Sequence, residues 1–111
     1  MAYGTMGGDG QPQTQAAVLS RYALFGQGLQ EAITAPRWLL GKTWGDESTS
    51  LKLESRFSQD LIGRLHDAGH CVETLAEFSQ AMGHAGAVVH HPSGFIEGAA
   101  DPRSDGGAFA V

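Results

Sequence analysis

Glycine spacing constrains the fold of this chain more than any other feature of its sequence. Of the 111 residues 16 are glycine, and the most closely spaced ones form three clusters, at 4–10, 83–86 and 94–107. Because glycine adopts backbone conformations closed to other residues, the clusters indicate tight turns and loops, not a low-complexity segment. Helices and strands are therefore expected between them, in one domain over 1–111, since the length leaves no room for two.

Three helices are expected. Apolar residues at i, i+4 and i+7 predict the first over 14–25: Val18, Tyr22 and Phe25. A short second helix over 29–34 is expected to end before Pro36, because proline disfavours helical geometry in the preceding residue. Ser58 is a natural N-cap for a third helix, which Gly69 ends. The residues expected to form its apolar face are Phe57, Leu61, Ile62, Leu65 and Ala68.

Short alternating or apolar segments predict the strands. A strand end at 2–5 precedes the first helix, and strands at 38–40 and 51–54 lie between the second and third helices. A strand at 71–75 and a β-hairpin of 85–90 and 95–100 around the turn 91–94 follow the third helix. Residues 41–50 are expected to form a polar loop. This order predicts an α+β fold with about three helices and a mixed sheet that is antiparallel in part.

Composition excludes several classes of function. The formal net charge is -5, from 7 Lys and Arg against 12 Asp and Glu, whereas a nucleic-acid surface needs clustered cations. No apolar run approaches the roughly 20 residues of a membrane-spanning helix. The first ten residues lack the positive segment of a signal peptide, and any targeting signal is expected upstream, so the location stays open between cytoplasm and periplasm.

The glycine loop is the first candidate for chemistry. Residues 4–10 lead into a helix, and consecutive backbone N–H groups at such a place can bind a phosphate or a transient oxyanion. A phosphate loop is disfavoured, because no Lys followed by Ser or Thr is present and Asp9 would repel phosphate. On the bare pattern, a purely structural turn between strand and helix is favoured over either binding role.

Other reactive residues are weaker candidates. His66 and His70 have i, i+4 spacing, but Gly69 is expected to end the helix between them, so neither a metal nor any other cofactor is predicted. The single cysteine, Cys71, cannot form an internal disulfide and has no evident base, and a small buried residue is its expected role. No Gly-x-Ser-x-Gly motif of a serine hydrolase is present.

Two arginines are expected in structural ion pairs. Arg37 lies between apolar neighbours and needs a carboxylate partner if it is buried. Near the end of the chain, Asp101, Arg103 and Asp105 lie among small residues and can form charge-assisted hydrogen bonds in a rigid turn. We expect these four residues to form a structural corner.

Three blocks in order resemble one family. They run from Met6 to Gln13, from Leu29 to Arg37 and from Gly98 to Arg103, and they contain Gly-Gly, Ala-Pro-Arg and Asp-Pro-Arg. Together they resemble the C-terminal part of the γ-glutamyltransferase (γ-glutamyltranspeptidase) small subunit, over nearly all of the chain. One departure is Asp9, where many members of the family have serine.

The resemblance implies an N-terminal-nucleophile hydrolase with an αββα sandwich. In that family the proenzyme cleaves itself, and the freed N-terminal threonine attacks a γ-glutamyl amide of the glutathione type. Gly7 and Gly8 match the paired glycines whose N–H groups form the oxyanion hole. The catalytic threonine lies upstream in the family, so the expected partners are the large subunit, the rest of the small subunit and a γ-glutamyl small molecule.

Two hypotheses follow. Either the chain is an inactive fragment of an amide-cleaving acyltransferase, or it is a non-enzymatic domain of the same fold that binds a partner or self-associates as a homo-oligomer. The second requires an exposed apolar face. The candidates for that face are Trp38, Leu39 and Leu40.

Overall fold

The computed structural model describes residues 1–42 and 47–111. Its fold is built around a three-stranded antiparallel sheet. Its central strand is β5 (Ala85–His90), which pairs with β1 (Ala2–Thr5) and β6 (Ile96–Ala100). Side chains alternate between the two faces of a strand, and one face of this sheet is buried. The buried residues on that face are Ala85, Ala87, Val89 and Ala99.

Two helices cover the buried face. They are α1 (Gln11–Leu19) and α2 (Leu29–Thr34), and their core residues Val18, Leu29 and Ile33 pack on the sheet. Small residues on β5 allow the helices to approach closely, and each large side chain that they bury contributes roughly 1.5–3 kcal/mol. The result is one layer of helices on one layer of sheet.

The opposite face of this sheet is open. Val88 is 50% exposed and Ile96 is 64% exposed, and the β-strand register places Gly4, Gly86 and Gly98 on the same side. A cavity of about 670 Å³ lies over this face. Ala108 of the C-terminal tail lies against Gly98, and the rest of this face is not covered by the described residues.

The second sheet is mixed. Strand β2 (Trp38–Leu40) is antiparallel to β3 (Leu51–Glu54), and β3 is parallel to β4 (Val72–Leu75) across the helix α3 (Gln59–Asp67). Ser58 caps α3 as predicted, accepting a hydrogen bond of 3.2 Å from the Leu61 amide. No residue of α3 is fully buried, but Ile62 and Leu65 of its expected apolar face are half-buried while the rest of the helix is exposed.

The first helix also differs from its prediction. It begins at Gln11 and not at residue 14, since Pro12 is tolerated in a first helical turn. Its end, Ser20–Leu24, is a π-helix in which the Phe25 amide bonds to the Ser20 carbonyl at 3.0 Å. The wider turn moves Phe25 off the expected face and leaves it 76% exposed.

Three further expectations need correction or restriction. Cys71 is exposed, and β4 begins after it at Val72. Leu39 is only 2% exposed, unlike its neighbours in β2, because alternate residues of a strand point to opposite faces. Within the expected polar loop 41–50, residues 43–46 lie outside the described residues.

Candidate functional site: the glycine loop and its buried ion cluster

The glycine loop connects β1 to α1 through backbone conformations that favour glycine. Gly7 has φ 131° and ψ 21°, and Gly8 has φ 54°. A short 3₁₀-helix, Gly8–Gly10, follows at once where a loop was expected, and the Gly10 amide donates to the Gly7 carbonyl at 2.9 Å. The sequence folds this way because side chains are strained at such positive φ values.

The amides of this loop are available. Among residues 1–42 and 47–111, neither the Gly7 nor the Gly8 N–H donates a hydrogen bond to another residue. Gly7 is half-buried and Gly8 is exposed, so the loop is not enclosed in the interior. Two adjacent free donors are the arrangement that can bind an anionic oxygen.

A buried ion cluster lies behind the loop. Arg103 donates to Glu54 twice, from Nε to Oε1 at 2.6 Å and from Nη2 to Oε2 at 2.5 Å, and its Nη1 lies 3.0 Å from Asp101 Oδ1. These three side chains have no exposed surface. A bidentate contact of this kind pairs the two charges and also fixes the relative orientation of the two side chains. The cluster thereby joins the end of β6 to the end of β3.

Arg37 completes the cluster and connects it to the loop. Its Nη2 donates to Asp101 Oδ2 and, at 3.0 Å, to the carbonyl of Gly83. Asp101 Oδ2 also accepts from the Ala85 amide at 2.7 Å. The ion cluster therefore fixes the backbone at 83–85, which packs against Gly7: a Cβ on Gly7 would lie 3.6 Å from the Gly83 Cα.

The two carboxyl groups of the cluster are held ionised. Burial alone would raise the pKa of Glu54, but hydrogen bonds from Arg103 and from the Arg37 amide outweigh it and lower that pKa. Burial would likewise raise the pKa of Asp101, and the Ala85 and Arg103 amides, with Arg37, lower it instead. Arg37 and Arg103 thus balance two buried carboxylates, and Arg56 adds a further bond of 2.9 Å to Glu54 Oε2 from the edge of the cluster.

The structure gathers most of the residues singled out from sequence. Arg37, Asp101 and Arg103 come together, whereas Asp105 lies exposed outside the cluster and forms no ion pair with any described residue. The turn that follows Asp101, in which the Ser104 amide donates to the Asp101 carbonyl at 3.1 Å, directs the chain outward before Asp105.

Glu54 is the member that sequence reasoning missed. The alternation of Leu51 to Glu54 places Glu54 on the polar side of a half-buried strand, yet it is 0% exposed. No local signal in the sequence separates Glu54 from a solvent-facing strand residue, because its partners Arg37 and Arg103 lie 17 and 49 residues away.

The histidines form no comparable site. His66 and His70 are exposed, and no group of three or more His, Cys, Asp or Glu side chains in the described part of the chain could hold a metal ion. No helix among the described residues is long and apolar enough to cross a membrane.

Comparisons with known proteins agree on one family. A profile of the family described as gamma-glutamyltranspeptidase matches residues 1–111. The oxamate amidohydrolase proenzyme of Klebsiella pneumoniae is 66% identical over 108 residues, covering 97% of this chain and 20% of that protein. The glutathione hydrolase-like YwrD proenzyme of Bacillus subtilis is 46% identical over 109 residues, covering 98% of this chain and 21% of that protein.

A solved structure has the same fold. The cephalosporin acylase of Bacillus halodurans superposes with a TM-score of 0.80 at 29% identity, covering 93% of this chain and 18% of that one. The chain therefore spans about one fifth of the length of the curated relatives it matches.

Proposed function

This chain belongs to the gamma-glutamyltranspeptidase family, and on that premise we propose that it is the C-terminal part of an amide-cleaving N-terminal-nucleophile enzyme. Its own contribution is the oxyanion hole, made by the amides of Gly7 and Gly8. The nucleophile, the N-terminal threonine implied by the family resemblance, comes from protein outside this chain. The isolated 111 residues are accordingly expected to be inactive.

One observation carries the proposal. The Gly7 and Gly8 amides are adjacent and donate to no described residue, in a loop held by glycine-favouring backbone angles. When a nucleophile attacks an amide carbonyl, the oxygen becomes negative, and donors already in place stabilise it without reorganising. Losing one oxyanion-hole donor costs about 10²–10³ in kcat in a serine protease, where the same kind of oxyanion forms.

The reaction then needs two further groups. In an N-terminal nucleophile the threonine hydroxyl attacks, and its own α-amino group accepts the proton. The amine of the substrate leaves, and water or an acceptor amine releases the acyl group. This chain supplies only the charge stabilisation of that sequence.

Two donor classes are candidates. The family resemblance gives a γ-glutamyl amide of the glutathione type, and the 46% identical relative is named as glutathione hydrolase-like. The higher identity of 66% is to a protein named oxamate amidohydrolase, and it favours a small primary amide next to a carboxylate. Hydrolysis of oxamate by water gives oxalate and ammonia, with the same oxyanion formed on the way.

The open sheet face supports the proposal that further protein packs against this chain. Val88 and Ile96 are exposed beside small residues that allow a second layer to pack closely. The chain also covers about one fifth of its relatives. We propose that upstream protein of the same enzyme covers this face, as the second sheet of the sandwich.

The experiment compares the full-length precursor that contains this segment with the isolated chain. Ammonia release from oxamate and nitroaniline release from γ-glutamyl-p-nitroanilide are measured for both. We expect activity from the full-length protein alone. Gly8→Ala keeps the amide but puts a side chain at φ 54°, and a resulting shift of the loop amides by about 1 Å should lower kcat by about 100-fold with KM little changed. Gly26→Ala is the matched control, since Gly26 also has positive φ, at 69°, and no atom within 4 Å of the added Cβ.

Two outcomes would contradict the proposal. Turnover by the isolated 111 residues would place the catalytic group inside this chain. Equal kcat values for the Gly8→Ala and Gly26→Ala enzymes would remove the glycine loop from the reaction.

A further inference from the structure

Gly83 packs directly against the glycine loop. It is buried, with φ 74° and ψ 178°, a region of backbone conformation that is essentially restricted to glycine. A Cβ at this position would overlap the carbonyl oxygen of Met6 and lie 2.7 Å from Thr5 Oγ1. No side chain fits there unless the Met6 carbonyl moves.

That carbonyl belongs to the same peptide unit as the Gly7 amide. A peptide unit is planar and rigid, with its C=O and N–H on opposite sides, so a shift of the Met6 oxygen turns the Gly7 N–H by the same rotation. Contact with the oxygen on one side therefore sets the direction of the amide on the other.

Gly83 and Thr5 both lie against the carbonyl oxygen of this peptide unit. The Gly83 carbonyl accepts from Arg37 Nη2 at 3.0 Å and the Gly83 amide donates to the Gln80 carbonyl at 3.0 Å, so this backbone cannot yield easily. The Thr5 hydroxyl donates to the Met6 carbonyl at 2.9 Å. The buried ion cluster is thereby connected to the loop through a single glycine.

We propose that Gly83 and Thr5 are positioning residues that aim the Gly7 amide at the reacting carbonyl oxygen. The inference rests on the proposed function, because it assigns a role in the oxyanion hole. Neither residue touches the substrate. Both act through the Met6–Gly7 peptide unit, and the absence of a side chain at position 83 is what leaves room for it.

The test uses the full-length enzyme and measures kcat and KM per mature molecule. Gly83→Ala is expected to lower kcat by about 100-fold, because a shift of about 1 Å in a catalytic group costs that much, while KM stays within a factor of about two. Gly94→Ala is the control. Gly94 has a similar φ of 86°, and a Cβ there meets no atom within 4 Å, so this variant puts a side chain at a positive φ without the contact.

A second pair of variants keeps the test decisive if Gly83→Ala yields no soluble enzyme. Thr5→Val removes the hydroxyl at nearly constant shape and is expected to lower kcat roughly fivefold, about the effect of one hydrogen bond. Thr5→Ser keeps the hydroxyl and is expected to restore kcat to within a factor of about two of wild type. A purely structural role of Thr5 predicts no such rescue in kcat.

The outcomes separate this inference from the proposed function. Suppose that Gly8→Ala lowers kcat. If the kcat of Gly83→Ala then equals that of Gly94→Ala, or the kcat of Thr5→Val equals that of Thr5→Ser, the positioning role is overturned and the oxyanion hole stands. If Gly8→Ala itself leaves kcat unchanged, the proposed function fails first. A selective loss of kcat in both Gly83→Ala and Thr5→Val supports the inference.

Discussion

Arg103 holds Glu54 by two parallel hydrogen bonds, of 2.6 and 2.5 Å, and neither side chain has any exposed surface. The pair spans 49 residues of sequence and joins the antiparallel sheet, through the segment after β6, to the mixed sheet at the end of β3. Its significance is architectural, because together with the Arg37–Asp101 pair it links the two sheets through the interior.

Arg103→Met is expected to destabilise the protein strongly. It removes the bidentate partner of Glu54 and one of the two arginines that bond Asp101, and breaking a buried pair in this way costs about 3–5 kcal/mol. Denaturant unfolding of the mature enzyme measures the change in the free energy of unfolding. The double variant Arg103→Met with Glu54→Gln should cost less than the sum of the single changes, since the uncompensated charge is gone.

The control for this prediction is an ion pair at the surface. Lys42 and Glu47 lie 2.7 Å apart, with 55% and 92% of their side chains exposed. Lys42→Ala is expected to change stability by less than about 1 kcal/mol, because water screens such pairs. An Arg103→Met effect as small as that of Lys42→Ala would show that the cluster does not hold the sheets together.

The protein is expected to lose stability in acid through Glu54 and Asp101. Both pKa values are lowered in the folded state from ordinary values of 4.5 and 3.8. The unfolded chain therefore binds protons first, so the contribution is complete above about pH 4.5 and is lost as the pH falls through the lower folded pKa values. Unfolding measured from pH 7 to pH 2 should show stability falling below about pH 4.5.

Glu54→Gln is the variant that isolates this effect. It removes one of the two titrating groups, so the loss of stability per pH unit below pH 4.5 should become smaller. An unchanged slope would mean that other carboxyl groups carry the acid sensitivity.

Several elements of this fold can be predicted from residues that are close together in the sequence. The cap at Ser58, the end of α2 before Pro36 and the hairpin of β5 and β6 follow from residue chemistry over a few positions, and the structure confirms them. The π-helix at Ser20–Leu24 does not, because its wider turn depends on tertiary contacts such as the bond of 2.6 Å from Arg21 to the Pro36 carbonyl.

The candidate site was predictable only where it is local. The loop 4–10 stands out in sequence through its glycine spacing, and the family resemblance points to Gly7 and Gly8 within it. Glu54, in contrast, looks like a solvent-facing residue of a strand. Gly83 looked like turn material, and its closeness to Met6 requires the pairing of β1 with β5, which brings residue 5 opposite residue 85. Long-range pairing of this kind leaves no mark within a short window of sequence.

Thr14→Val is expected to cost about 1–3 kcal/mol of stability. The Thr14 hydroxyl is buried and donates to the Met82 carbonyl at 3.0 Å, and valine leaves that carbonyl without this donor. Thermal unfolding of the mature enzyme measures the effect. Thr14→Ser keeps the donor and should lose clearly less, and equal losses for both variants would attribute the effect to packing of the methyl group.

Gly63→Ala is expected to stabilise the protein by about 0.5–1 kcal/mol. Gly63 lies within α3, where an added Cβ meets no atom within 4 Å, and alanine loses less backbone entropy than glycine in a helix. Gly69→Ala tests the opposite sign just past the same helix. Its φ of 96° strains any side chain, so this variant should be destabilised although the space around it is also open. Denaturant midpoints that move in the same direction for both variants would contradict the assignment of the helix end.

The isolated chain is expected to self-associate through the open face of the antiparallel sheet. Val88 and Ile96 are exposed there on neighbouring strands. An exposed apolar sheet face favours association with another copy of the chain when the protein that normally covers it is absent. The double variant Val88→Glu with Ile96→Glu should shift the chain toward monomer in size-exclusion chromatography with light scattering, because like charges on this face oppose its burial. Leu24→Glu is the control, since Leu24 is 77% exposed at the end of the π-helix and away from this sheet. A wild-type chain that stays monomeric at high concentration, or a Leu24→Glu chain that dissociates as fully as the double variant, would show that the open face is not the surface of association.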